Sequence, residues 1–329
     1  MPEISKINAL GIGSVLKLDG LAKASILNID GVPLGGAAYS VRLLDSLLGT
    51  TYTGAAMRVR RDTGGGTGHD DEADLAFDTS LTDPAISLDS AISNASAGVT
   101  ATTLGQFLNV GTVGGTTYTN PDTLSGTASC YVVSWKDQSG NGNDADQPTA
   151  GGSGLQPQIH SGTVNTDLIT ENGKPALNFA ADYLAADWDI TTEVSCVVVC
   201  ADVGFFDAIT GNQNLNFGFW IQNRFNSQFW LTGLDSTYSV AVDPTSQQVL
   251  ISGAFDSNNQ QMYANSSSTI TADSRPFDGS GYRFRIGYVD SSPSGILTGK
   301  IQEVIFWNRY RPTDITSIHT SVNNYFQVY

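Results

Sequence analysis

From Cys130 onward the apolar positions come in short runs separated by turn residues: "CYVVSW", "PALNFA", "EVSCVVVCA", "LNFGFWI", "SQFWLTG", "QQVLISGAF", "QQMYAN", "YRFRIGYV" and "GKIQEVIFWN". Runs of this kind, rich in β-branched and aromatic residues and recurring about every ten to fifteen residues, predict the strands of a two-sheet sandwich. In "YRFRIGYV" the alternation sets Tyr282, Phe284, Ile286 and Tyr288 on one face and the arginines on the other, so one face of this strand is wet. Upstream, "YTGAAMRVRRDTGGGTGHDDEADLAFD" reads as strand, Gly-rich turn and strand.

Helical spacing is rarer. Tyr39, Leu43 and Leu47 predict a short amphipathic helix in "AAYSVRLLDSLLG", and "TTLGQFL" predicts one brief helical turn. Ile315, Ile318, Val322 and Tyr325 form a closing helical stripe that starts at Pro312. Residues 79–129, rich in Ser, Thr, Ala and Gly with little apolar periodicity, predict long surface loops. The pattern as a whole predicts an all-β sandwich with short peripheral helices.

The N-terminal stretch carries a repeat. "ISKINALGIGS", "VLKLDGLAKAS" and "ILNIDGVPLGG" align at a period of eleven, with Ile4, Val15 and Ile26 at one position and Ile7, Leu18 and Ile29 at another. Each unit reads as a short strand ended by an Asn/Asp-Gly type turn. Three such units cannot bury a core alone. Residues 1–34 are therefore expected to form a small β-repeat segment that docks on another surface, or on copies of the chain, through those apolar residues. The sandwich domain is expected over residues 35–329. A meander packed on its own domain is the alternative.

Charge narrows the partners. Thirty-two acidic against sixteen basic side chains give a formal charge of −16, which repels phosphate backbones and anionic lipid surfaces. Nucleic acid is not an expected partner, and no stretch has the apolar length that membrane insertion needs. "MPEISKINALGIGSVLKLDG" lacks the basic leader and apolar core of a secretory signal, so the chain is expected to be made and folded in a cytosol. Cys196 and Cys200 are four apart on an apparent strand, about 13 Å at about 3.3 Å per residue, beyond disulfide reach. With Cys130 they read as small core residues.

Candidate chemistry is sparse. In "SWKDQSGNGND" Asp137, Ser139 and Asn141 offer oxygens on alternate residues, as a calcium loop does, but the twelfth position, where a bidentate acid belongs, is Pro148. The stretch reads better as a turn in which Gly140 and Gly142 take left-handed angles while Asp137 and Asn143 satisfy backbone amides. His69, His160 and His319 are far apart and have no Cys or acid at metal spacing. No cofactor is implied, and neither a nucleophile-elbow nor a phosphate-loop motif occurs. Arg58 and Arg60, with Arg61, could meet an acidic glycan or a neighbouring subunit, though "HDDEAD" downstream favours local ion pairs. Phe219, Trp220 and Trp230, in an aromatic-rich stretch, are the strongest glycan or interface candidates, because flat rings stack on sugar faces.

"AYSVRLLDS", "YTGAAMRVRRDT", "YVVSWKDQSGNGNDADQP", "ENGKPALNF" and "GYVDSSPSG" with "GKIQEVIFWNR" together carry a resemblance over roughly residues 36–329. The chain resembles the catalytic domain of the glycoside hydrolase family 54 α-L-arabinofuranosidases and, more closely, related concanavalin-like domains of bacteriophage tail, fibre and capsid-surface proteins. The N-terminal repeat is similar to anchor segments of phage virion proteins. The resemblance implies a concanavalin/laminin-G-like jelly roll in a virion structural protein, a capsid decoration or fibre-like subunit. Its implied partners are other virion proteins through residues 1–34, its own copies as a homotrimer, and a host surface glycan.

Retaining hydrolysis needs two carboxyl groups about 5 to 5.5 Å apart. By the resemblance the proton donor corresponds to Asp290, whose bland reading is a turn residue. The nucleophile corresponds to the stretch 216–230, with Gln222 or Asn223 about where a glutamate would be, and that stretch holds no carboxylate. An amide forms no glycosyl ester and carries no charge to stabilise an oxocarbenium ion. The expectation is a scaffold without catalytic residues, not an enzyme. An arabinofuranosidase-like hydrolase and a secreted lectin-type adhesin are the alternatives.

Overall fold

The computed structural model describes residues 36–44, 52–64, 70–122, 124, 126–147, 155–187, 193–204, 207–212, 220–224, 228–233, 236–241, 247–255, 259–265, 267–272, 284–288, 296–308 and 312–329, and from the N-terminal stretch 17–18, 21–22, 28–29 and 32–33. Along the chain the main strands are β1 (Gly36–Ser40), β2 (Met57–Asp62), β3 (Glu72–Leu75), β4 (Ser129–Trp135), β5 (Ala145–Asp146) and β6 (Gln158–Ser161). Then follow β7 (Leu177–Ala180), β8 (Leu184–Ala186), β9 (Val194–Ala201), β10 (Ala208–Asn212), β11 (Trp220–Arg224) and β12 (Gln228–Gly233). The last are β13 (Ser236–Ala241), β14 (Val249–Phe255), β15 (Asn259–Ala264), β16 (Ser267–Ala272), β17 (Phe284–Ile286) and β18 (Thr298–Trp307). Helices are α1 (Leu104–Leu108) and α2 (Pro312–Phe326).

Strand β4 is where two hydrogen-bonded arms diverge. One edge pairs with β2, which pairs with β3. On the other edge its first half pairs with β6 and its last two residues with β5. From β6 one layer continues through β7, β18, β9, β14, β15 and β16, with β1 alongside β18. From β5 the second layer continues through β8, β17, β10, β11, β12 and β13. Every pairing named is antiparallel. The layers face each other: the Phe284 ring of β17 meets Phe306 of β18 edge-on at 4.3 Å and stacks parallel to Tyr39 of β1 at 6.4 Å. This is the expected all-β sandwich with short peripheral helices.

Strand β9 shows how the sequence encodes its layer. "VSCVVVCA" is apolar without alternation, and all its positions are buried, because it lies between β14 and β18 in the sheet with cover on both faces. Cys196 and Cys200 on β9, and Cys130 on β4, are free and buried, and burial pushes each thiol up, Cys196 to about 12. Helix α2 lies over β14 and carries Ile318, Val322, Tyr325 and Phe326 as its buried stripe.

Three expectations need correction. The segment starting "GAAYS" is strand β1, with no helix over the described residues 36–44, and Tyr39 is fully buried. Its backbone pairs along β18 from Gly36 opposite Trp307 to Ser40 opposite Glu303, a long-range register that overrides local spacing. Residues 79–129 are largely loop but not merely surface: Leu104, Phe107, Leu108 and Val110 are fully buried. Helix α1 there is capped by Thr103, whose side chain accepts from the Gln106 amide, and ends on left-handed Asn109. The third correction is Tyr288, which leaves the Phe284 face because Gly287 takes φ +88 and breaks the alternation.

In the N-terminal stretch Leu18 pairs with Leu21 and Ile29 with Val32, so short antiparallel pairs span positions 19–20 and 30–31, the Asp-Gly dipeptides of the second and third units. Ile4, Ile7, Val15 and Ile26 lie outside the described residues.

Candidate functional site

The "DQSGNGND" loop is a clamp on β1. Asp137 is buried, and its carboxylate accepts from the backbone amides of Ala38, Ser139 and Asn143 and from the Ser139 hydroxyl, at 2.8–3.0 Å. The Gly36 carbonyl in turn accepts from Ser139 Oγ, Asn141 Nδ2 and Asn143 Nδ2. Gln138 reaches further along, accepting from the Leu44 amide and donating to the Ser40 and Arg42 carbonyls. Gly140 and Gly142 take φ +83 and +75, as such a turn requires. The oxygens of Asp137 and Ser139 that would hold calcium are thus engaged by donors of the protein itself.

Arg58, Arg60 and Arg61 are ion-paired to the acidic run across the β2–β3 hairpin. Arg58 binds Glu72 at 2.7 Å and Asp74 at 2.9 Å, Arg60 pairs with Asp70, and Arg61 binds Asp71 at 2.7 Å. Arg60 is only 4% exposed, donates from Nε to Gln156 and lies over the Tyr131 ring. Arg61 lies over Phe107 and donates to its carbonyl. Of the two candidates named from the sequence, Arg58 keeps the larger solvent-facing surface.

Strand register assembles a different group. Arg58, Ser134, Asp146, Ala185, Arg285, Gly211 and Trp220 are successive Cα partners across β2, β4, β5, β8, β17, β10 and β11. Direct partners share a sheet face, and this is the face opposite to buried Phe284 and Ile286. Gln222, two residues beyond Trp220, pairs with Trp230. Trp220, Gln222 and Trp230 therefore lie on the outer face of the second layer, while Asn223 pairs with Phe229 on the other face. Arg285 is two strands from Trp220, about 10 Å at about 4.8 Å per strand, whereas Arg58 is six strands away, about 29 Å. By register the backbone positions of Trp220, Gln222 and Trp230 are in line with that of Arg285, and those of Arg58 and Arg60 are far along the sheet. Phe219 and Asp290 lie outside the described residues.

On this face the Arg285 guanidinium sits 5.6 Å from the Tyr183 ring and 5.0 Å from the Tyr288 ring, and the two rings are 5.4 Å apart. All three are partly exposed. Arg285 was legible as the wet side of "YRFRIGYV", whereas Tyr288 was hidden by the backbone turn at Gly287.

Two buried carboxyl groups near this end of the sandwich, Asp207 and Asp182, are turned to backbone work. Asp207 directly precedes Ala208, the register partner of Gln222, and its Oδ2 accepts from the Thr298 amide at 2.7 Å. Asp182 accepts from the Ala180 amide at 2.8 Å. Burial raises both pKa values. No acid occurs in the sequence between Asp207 and Asp235.

A β-sandwich of this topology defines the class, and solved structures share it. The chain is similar to a GH54 α-L-arabinofuranosidase soaked with a cyclic sulfate inhibitor, at 13% identity and TM-score 0.53, covering 87% of this chain and 62% of that one. It is also similar to a mutant GH54 α-L-arabinofuranosidase soaked with 4-nitrophenyl α-L-arabinofuranoside, at 12% identity and TM-score 0.52, with the same coverage of 87% and 62%. The chain thus spans about 62% of the length of these enzymes, and the likeness is one of fold. No protein-family model and no curated protein matches the sequence.

Proposed function

We propose that this chain is a carbohydrate-binding sandwich that does not hydrolyse its ligand. The observation that supports the reading is the strand register, in which the positions of Trp220, Gln222 and Trp230 are in line with that of Arg285, whose guanidinium lies by two tyrosine rings. Aromatic rings and a guanidinium suit the C–H faces and hydroxyls of sugars. An amide at this place hydrogen-bonds a sugar without attacking it. A glycan array on the full chain and on a Trp220→Ala/Trp230→Ala variant tests this: the full chain binds a defined set of glycans and the variant loses at least part of that set. Equal binding by both proteins would remove the face from the account.

The setting we propose is the surface of a phage particle, as a capsid decoration or fibre-like subunit. Support comes from the acidic charge and from the N-terminal repeat with its resemblance to virion anchors. Residues 1–34 would then join the subunit to other virion proteins or to its own copies as a homotrimer.

A further inference from the structure

A cleft of about 360 Å³ opens between the end of α2, the loop at 81–87 and the short strand pair Thr170–Glu171 and Lys174–Pro175. It shares no residue with the outer face of the second layer. Its polar lining is Thr82, Asp83, Ser87, Asp167, Thr170 and Lys174, over a floor that includes Tyr325. Asp83 and Asp167 are exposed, and neither makes an ion pair among the described residues; Lys174 likewise has no carboxylate partner there. Three charges of both signs thus share one small cleft without pairing with one another.

The walls are held from beneath. Gln302 Nε2 donates to the carbonyls of Glu171, Lys174 and Pro175, fixing that strand pair on β18, and Gln302 is itself bonded by Gln248. Asn172 Nδ2 donates to the Phe326 and Gln327 carbonyls and ties the same turn to the end of α2. Under the floor, fully buried Glu303 takes a two-pronged bond from Arg42, at 2.8 and 3.1 Å, and a third from Ser40 Oγ. The Tyr325 ring lies 4.9 Å from the Arg42 guanidinium and 4.3 Å from the Lys174 ammonium. A cleft whose walls and floor are locked by buried polar groups is preorganised for a ligand.

We propose that this cleft is a second binding site, for a neutral saccharide of about one or two rings. The two carboxylates only accept hydrogen bonds, the ammonium only donates, and the threonine hydroxyls do both. A ligand rich in hydroxyls satisfies all of them at once and carries no charge of its own. A cation would meet Lys174, and an anion would meet two aspartates in a chain of net charge −16. The Tyr325 ring is taken by its two cations, so recognition here runs through hydroxyls and not through stacking. The ligand class rests on the carbohydrate reading of the fold; the place rests on the cleft alone.

Isothermal titration of the full chain with cellobiose, maltose and lactose, and with glucosamine and glucuronic acid as charged controls, tests the site. At least one neutral disaccharide is expected to bind. The exposed, isosteric pair Asp83→Asn/Asp167→Asn should weaken it about tenfold, a change of about 1.4 kcal/mol, and Lys174→Gln should weaken it as well. In Trp220→Ala/Trp230→Ala, which removes the outer face, a neutral disaccharide should still be bound, and adding Asp83→Asn/Asp167→Asn should remove that remaining binding. Binding lost in the tryptophan variant and kept in the aspartate variant would overturn the cleft while sparing the outer face. Binding of the charged sugars alone would overturn the ligand class, and binding of no saccharide in this titration would overturn the cleft site, the outer face being judged on the glycan array.

Discussion

His319 shows how much a single buried ring does here. Its Nδ1 faces the Asn265 carbonyl at 3.2 Å and its Nε2 lies 2.8 Å from Ser252 Oγ, with the Tyr263 ring edge-on at 5.8 Å. A neutral ring fits both partners, donating from Nδ1 and accepting the serine proton at Nε2. Burial pushes its pKa from 6.5 down to about 4. The unfolded chain takes up a proton below 6.5 that the folded protein refuses until about 4, so this stability is full above pH 6.5 and is lost as pH falls to 4. The loss is on the order of 3 kcal/mol. His160, buried on β6 and also lowered, acts in the same direction, while Asp182 and Asp207, with raised values, oppose it. Urea unfolding between pH 7 and 4 should therefore show a shallower pH dependence in His319→Gln than in the unchanged protein; equal slopes would contradict it. The buried Arg42–Glu303 pair is a second residue-scale test: Glu303→Gln leaves a guanidinium uncompensated and should cost about 3 to 5 kcal/mol, read from the same unfolding curves.

Among the elements, the "DQSGNGND" loop and β1 stand or fall together. Asp137→Ala would leave the amides of Ala38, Ser139 and Asn143 without their acceptor, a loss of at least about 3 kcal/mol. Adding calcium or a chelator should leave the melting temperature unchanged, since the same oxygens already face protein donors; a calcium-dependent rise would reinstate the metal reading. Gly36→Ala should be as damaging, because a Cβ there would sit 2.1 Å from the Phe306 carbonyl oxygen. These elements also mark what could be read from the sequence. The loop chemistry was legible because Asp, Asn and Gly act on their own neighbours, and β9 and α2 were legible from unbroken or helically spaced apolar runs. Strand β1 was not, because its conformation is set by pairing with β18 more than 260 residues away in sequence. The core beneath 79–129 was hidden for a similar reason, since Phe107 is buried in part by Arg61 from another hairpin.

For the whole molecule, the outer face is a property of register. Trp220 and Trp230 could be named from composition, but only the chain of partners from Arg58 to Trp220 separates the distant arginines from the aromatic group and brings in Arg285, Tyr183 and Tyr288. The same register puts Gln222, rather than Asn223, on that face. Removing residues 1–34 is expected to leave a folded sandwich that no longer joins a particle or its own copies, measured by sedimentation and by incorporation into virions; unchanged incorporation would defeat the docking role. The most direct test is hydrolysis of 4-nitrophenyl α-L-arabinofuranoside by the full chain beside Asp290→Asn. The account predicts no nitrophenol above the buffer blank from either protein, and turnover that disappears in Asp290→Asn would contradict it.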